Sequence, residues 1–155
     1  MSERTNAEAH TTAAGVADRE RRTTTVFRVV FVVAVVLSVF HYLDNWLRYD
    51  AYLVAPDVPA PPAVGIPLGW LVFTVAGVFG YIRFHQRRWW AAVGLLAIYS
   101  LSGLIGVFHY VGAPLSGFDW VQHVAILTDV AAGIAVLGFA IWLMFRRALP
   151  EFQAD

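Results

Sequence analysis

Four apolar runs, at residues 26–46, 66–84, 89–110 and 121–145, each come close to or exceed the roughly 20 residues that an α-helix needs to cross a bilayer. In hydrocarbon every backbone N–H and C=O must be paired within its own segment, so the runs predict helices and exclude irregular structure. Charged residues make up 14% of the 155 positions and hydrophobic ones 59%, against roughly 25% charged in a soluble domain. The expected fold is therefore all-α: a polytopic membrane protein with four transmembrane helices in an antiparallel bundle. The polar residues 1–25 predict a disordered cytoplasmic tail, residues 26–147 the four-helix transmembrane domain, and residues 148–155 a short second tail.

The first run follows arginines and precedes a stretch rich in Ala and Pro, as a secretory signal does. It exceeds the roughly 7 to 15 residues of a signal core, however, and keeps His41, Asp44 and Asn45 near its end, so it is read as a retained span. Arginines gather before the first run (Arg19, Arg21, Arg22, Arg28), between the second and third (Arg83, Arg87, Arg88) and after the fourth (Arg146, Arg147). The other two connections hold only Arg48. The positive-inside rule then predicts both termini in the cytoplasm of a plasma or inner membrane, with the tryptophans at the interfaces. Lysine is absent and Ala, Val and Arg are abundant, which suits a prokaryotic source.

The chain has no cysteine, which removes disulfides, thiolate metal sites and CxxC redox chemistry. Zero net charge gives no basic field for nucleic acid, and no glycine-rich phosphate loop or nucleophile elbow is present. Pro56, Pro59, Pro61 and Pro62 predict an extended first outer loop. Its opening, Arg48 to Leu53, is amphipathic enough to lie on the membrane surface. The short turns after the second and third runs predict that helices two and three, and three and four, are neighbours.

Chemistry is concentrated in five ionisable residues inside or at the ends of the runs: His41, Asp44, His109, His123 and Asp129. Such groups cost roughly 2.5 to 3.5 kcal/mol each in a bilayer, which makes their gathering near one depth a site hypothesis. At about 1.5 Å per residue, His41 lies some 8 Å inside its outer helix end and Asp129 roughly 12 Å below the start of the last helix. His109 and His123 belong at outer helix ends. At about 100° per residue Ser38, His41 and Asn45 share one face of the first helix. Ala125, Asp129, Ala132, Gly133, Val136 and Ala140 share a mostly small face of the fourth, which predicts that Asp129 points at protein. Val39-Phe40-His41-Tyr42 recurs as Val107-Phe108-His109-Tyr110, which would set two histidines at matching depth if the halves are duplicated.

The leading expectation is an outward-facing His/Asp pocket that binds a divalent metal. His41, His109 and His123 would be ligands, Asp44 a fourth ligand or catalytic partner, and Asp129 a buried base. Asn45, Tyr42, Ser102, Tyr110 and Trp120 would line it, with Tyr42, Trp46, Tyr110 and Trp120 around its mouth. Zinc, copper or iron would suit these donors, and a metalloenzyme would act on a hydrophobic small molecule reached from the bilayer. Haem between His41 and His109 is a weaker fit, because no second pair exists to carry electrons across. The alternative is a non-catalytic transport, binding or assembly subunit using Asp129 and the histidines for proton coupling or helix packing. A carrier of four helices would then require a homo-oligomer.

Structural readings stand beside these. Asp44 and Arg48 are spaced to pair across one helical turn, worth a few tenths of a kcal/mol when exposed. His109 and His123 can bond to loop carbonyls, Asp119 can cap the last helix or pair with His123, and Asp129 can bond to Ser102 or Tyr99. His85, among arginines, reads as solvated. The four-span size and the His41-x-x-Asp44 spacing resemble the emopamil-binding group of sterol-isomerase-like membrane proteins. The second helix here has none of that group's further intramembrane carboxylates, so no activity or residue role is carried over.

Overall fold

The computed structural model describes residues 2–53, 62–111 and 113–152, with side chains described at 14–53, 62–111 and 113–150. Helix α1 spans Ser2–Leu47, and the one-turn helix α2 spans Tyr49–Tyr52. Three further long helices follow: α3 at Gly65–His85, α4 at Trp89–Leu104 and α5 at Trp120–Leu143. Helix α4 tightens into a 3-10 segment at Ile105–Tyr110, a short 3-10 turn occupies Leu115–Gly117, and α5 passes through a π-helical stretch at Met144–Ala148 into α6 at Leu149–Phe152. Among the described residues four segments are long and apolar enough to cross a membrane: Ala14–Leu47, Gly65–His85, Trp89–Tyr110 and Trp120–Ala148. Helix α3 packs on α4, α4 on α5, and α1 on α5 and, more sparsely, on α3.

The expected disordered segment 1–25 is helical from Ser2 onward. Ala, Glu and Arg there are good helix formers, and Glu20 on this extension pairs with Arg87 at 3.2 Å and Arg147 at 3.7 Å. The proline-rich loop expectation rests mainly on residues 54–61, which lie outside the described residues. Its opening is α2, and Tyr52 from it is buried over the end of the bundle.

The buried positions of α1 are Phe27, Phe31, Ala34, Ser38, His41 and Asn45. They alternate steps of four and three, the spacing that keeps one stripe on a partner helix. Helix α4 repeats it with Ala92, Leu96, Tyr99 and Gly103, and α5 carries a similar stripe, with one doubled step of four, in Ala125, Asp129, Ala132, Val136, Ala140 and Leu143. Each stripe changes character along its length, and the core divides accordingly. At the arginine-rich end it is aromatic: Phe27 stacks on Phe139 at 4.3 Å and meets Phe84 at 4.6 Å, while Phe31 meets Tyr81 and Tyr99 at 5.4 Å. At the other end it is polar.

The close approach of α4 and α5 depends on two glycines. A Cβ at Gly103 would fall 2.3 Å from the Asp129 carbonyl oxygen, and one at Gly133 would fall 2.8 Å from that of Ser100. Small residues allow backbones this near, where dispersion and packing hold membrane helices together. The small face expected on the fourth span is buried as read from the sequence.

Candidate functional site

The polar half of the core is built from α1, α2, α4 with its 3-10 extension, and α5. All five ionisable candidates belong to it, but the structure separates them by how fully the chain already satisfies them.

Asp44 is committed. Its Oδ1 accepts from Arg48 Nε at 2.8 Å, and its Oδ2 accepts from Arg48 Nη2 and from the Tyr52 hydroxyl, both at 2.6 Å. The same guanidinium donates through Nη1 to Asp119 Oδ2 at 2.6 Å. Asp119 in turn caps α5: its Oδ1 accepts from the Gln122 backbone N–H at 2.9 Å, and Gln122 Oε1 accepts from the Asp119 N–H at 2.9 Å. That reciprocal pair satisfies two donors a helix start would otherwise leave open. The Gln122 backbone N–H and the Arg48 guanidinium hold the Asp119 carboxyl below the ordinary aspartate range. Burial and the Asp44 carboxylate hold the Tyr52 hydroxyl above the tyrosine range, which keeps it a donor. Arg48 therefore clamps the end of α1 to the start of α5, with Tyr52 folded beneath.

His123 is committed as well. Its Nε2 lies 3.1 Å from the Leu115 carbonyl oxygen, which can only accept, so the ring proton sits there. Nδ1 then accepts from the Tyr110 hydroxyl at 2.9 Å, with the two rings stacked at 5.6 Å. Both nitrogens are used. His109 is engaged on one side: Asn45 Nδ2 donates to its Nε2 at 3.2 Å, and its ring packs on Tyr52 at 5.0 Å and Phe118 at 6.3 Å.

His41 and Asp129 differ from these three. His41 is 3% exposed and Asp129 1% exposed, yet Nδ1 of His41 and Oδ2 of Asp129 have no hydrogen-bond partner among the described residues. The Ser38 and Tyr99 hydroxyls beside them are equally buried and equally unpartnered. Ser38 precedes His41 by one turn on the same face of α1, and the hydroxyls of Ser38 and Tyr99 come near one another without closing a hydrogen bond. Asp129 is near enough to the Tyr42 and Tyr99 hydroxyls to act on both electrostatically. Buried polar groups are almost always paired, so four unpartnered atoms on three facing helices define a polar core that the described residues do not complete.

The predicted site residues do not all meet in one pocket. The three histidines are not one cluster: His41 and His109 adjoin edge to face at 5.6 Å, but Phe118 lies against both His109 and His123. Among the described residues no three His, Asp or Glu side chains are arranged to hold a metal ion. The open mouth is also different. Tyr42 turns inward and donates to the Ser102 carbonyl at 3.1 Å, Tyr110 stacks on His123, and Trp120 is 76% exposed. Tyr52 and Phe118 cover His41 and His109 instead, at 6.1 Å between Tyr52 and His41. The repeated Val-Phe-His-Tyr does bring its two histidines together, although one copy is α-helical and the other 3-10.

Trp46 lines a separate apolar groove of about 200 Å³ between α1 and α3, with Val39, Leu43, Pro67 and Trp70. Tyr42 also reaches its wall, which sets this apolar groove beside the polar core. Compared with known proteins, the chain matches no family model, no curated protein and no solved structure.

Proposed function

We propose that the protein is a proton-binding transport or coupling subunit of a prokaryotic plasma membrane, with Asp129 as the carboxyl group that exchanges the proton. One observation carries this reading. Of the five candidates His41, Asp44, His109, His123 and Asp129, only His41 and Asp129 keep a buried atom without a partner among the described residues, and they do so beside two unpartnered hydroxyls. A lone carboxylate at such depth is costly, so the group holds either a proton or a ligand that supplies a donor.

The surroundings suit a proton better than a large substrate. Asp129, the Tyr99 and Ser38 hydroxyls, and His41 form a succession of groups that both accept and donate. His41 adjoins His109 and Tyr52, and the Tyr52 hydroxyl bonds to the partly exposed Asp44. A proton entering at the Asp44 end passes inward by that route and stops at Asp129, since the core beyond it is aromatic. We read the four helices as an antiparallel bundle with both termini cytoplasmic, which puts the Asp44 end outside. A complete crossing needs a second access route, and a homodimer is the simplest source of one. A hydrophobic small molecule, if one is carried, has the groove at Trp46 and Trp70 as its lateral entry.

A second reading keeps one observation. The unpartnered Nδ1 of His41, with His109 adjacent, is a start for a divalent metal site such as zinc, copper or iron. Asp44 and His123 are unsuited to complete it because their bonds within the chain are already made, and the Asn45 contact to His109 Nε2 counts equally against a haem. The test that separates the readings uses sealed vesicles containing a pH-sensitive dye. The protein should speed dissipation of an imposed pH gradient and Asp129→Asn should abolish the effect. Equal rates for the two proteins would refute proton transfer across the membrane through Asp129, and stoichiometric metal in protein purified without a histidine tag would favour the second reading.

A further inference from the structure

We infer that the arginine-rich end of the bundle carries a binding site for the phosphate of an anionic phospholipid, formed by Arg87, Arg147 and Trp89 and filled in this structure by the Glu20 carboxylate. This site lies at the opposite end of the core from the Asp129 cluster and does not depend on the reading of that cluster.

A cavity of about 190 Å³ opens there between the extension of α1, the α3–α4 turn and the end of α5, lined by Glu20, Arg87, Trp89, Trp142 and Arg147. That is several times the roughly 30 Å³ share of a water molecule. Two guanidinium groups enter it and one carboxylate answers them. Arg87 Nη2 donates to Glu20 Oε2 at 3.2 Å, whereas Arg147 stands 3.7 Å from Oε1, beyond hydrogen-bond reach. The guanidinium of Arg147 rests instead 5.9 Å from the Trp89 ring centroid, a cation–π distance. Among the described side chains these two guanidinium groups face a single carboxylate, and guanidinium forks match phosphate oxygens in geometry as well as in charge.

Arg87 is held at φ 58°, the left-handed region in which a glycine or asparagine would sit with less strain. The turn bears that conformation while directing a cationic side chain at the cavity. Two of the lining residues are tryptophans at the ends of spans, the level where rings meet lipid headgroups. A lipid phosphate arrives at this height by lateral diffusion, and Glu20 on the extended α1 is the group it would displace. The site thereby couples the arginine-rich end to lipid composition: bound lipid frees the extension of α1, and lipid-free protein holds it.

The test uses the full chain in a neutral detergent. Short-chain phosphatidylglycerol is titrated against the protein, with phosphatidylcholine of equal chain length as the zwitterionic control and inorganic phosphate as competitor. Phosphatidylglycerol should bind, the double variant Arg87→Gln/Arg147→Gln should bind at least tenfold more weakly, and Glu20→Gln should bind severalfold more tightly. Phosphatidylcholine should show neither change. Unchanged affinity in the double variant would overturn the site. If that variant fails to fold, Glu20→Gln decides, and no tightening would overturn it equally. Displacement of the lipid by equimolar inorganic phosphate would overturn the lipid as ligand and assign the site to a dissolved anion.

Discussion

Asp129 and His123 are six residues apart on one helix, and the bundle treats them in opposite ways. His123 spends both ring nitrogens on the Tyr110 hydroxyl and the Leu115 carbonyl, whereas Asp129 keeps an oxygen that no described residue meets. Replacing His123 by Phe keeps the stacking on Tyr110 and removes two hydrogen bonds, which should cost about 1 to 3 kcal/mol in thermal or denaturant unfolding. Proton exchange in vesicles should be unaffected by that change. A His123→Phe protein as stable as the parent but inactive would reverse the roles assigned to the two residues. An ionisable residue inside an apolar run is visible in a sequence, as both of these were. Whether it is satisfied depends on a carbonyl such as that of Leu115, whose direction is set by the fold of a loop and leaves no pattern in the residue order.

Among the elements, the α4–α5 crossing and the α2 strap support the site in different ways. The backbone of Asp129 is pressed against Gly103, where an added Cβ would fall 2.3 Å from a carbonyl oxygen. Gly103→Ala should therefore destabilise the bundle by about 1 to 3 kcal/mol, the usual cost of overpacking. Gly138→Ala meets nothing within 4 Å and should be neutral or stabilising by up to about 1 kcal/mol through helix propensity. Equal effects of the two would contradict the close crossing. The strap is held by Arg48 between Asp44 and Asp119, so Arg48→Gln should loosen Tyr52 and raise the rate at which diethylpyrocarbonate modifies His41. Acid should act in the same direction. Since Asp119 titrates lower when folded, its share of the clamp is present above the ordinary aspartate value of 3.8 and is lost as pH falls below it. The i, i+4 pairing of Asp44 with Arg48 and the capping role of Asp119 follow local spacing rules and were legible in advance. The return of Tyr52 onto His41 and His109 joins distant segments and was not.

For the whole molecule, four spans and the inward face of α5 could be read from length, hydropathy and small-residue spacing, because lipid leaves the backbone few alternatives. The helical continuation of α1 ahead of its apolar run could not, since it involves ion pairs of Glu20 with arginines more than 60 positions away. The topology is open to a direct check, as the chain has no native cysteine. A single cysteine at Ser116 should react with an impermeant maleimide from outside intact cells, and one at Arg21 only after lysis. The reverse pattern would invert the bundle and with it the direction of proton entry. The central claim is that Asp129 is a buried, exchangeable carboxyl group reached through His41. It is tested most directly by infrared difference spectra of the protein in bilayers as the bulk pH is changed. One carboxyl C=O band should respond to pH, disappear in Asp129→Asn and shift in frequency in His41→Ala. A spectrum in which Asp129→Asn removes no pH-responsive band would contradict the account.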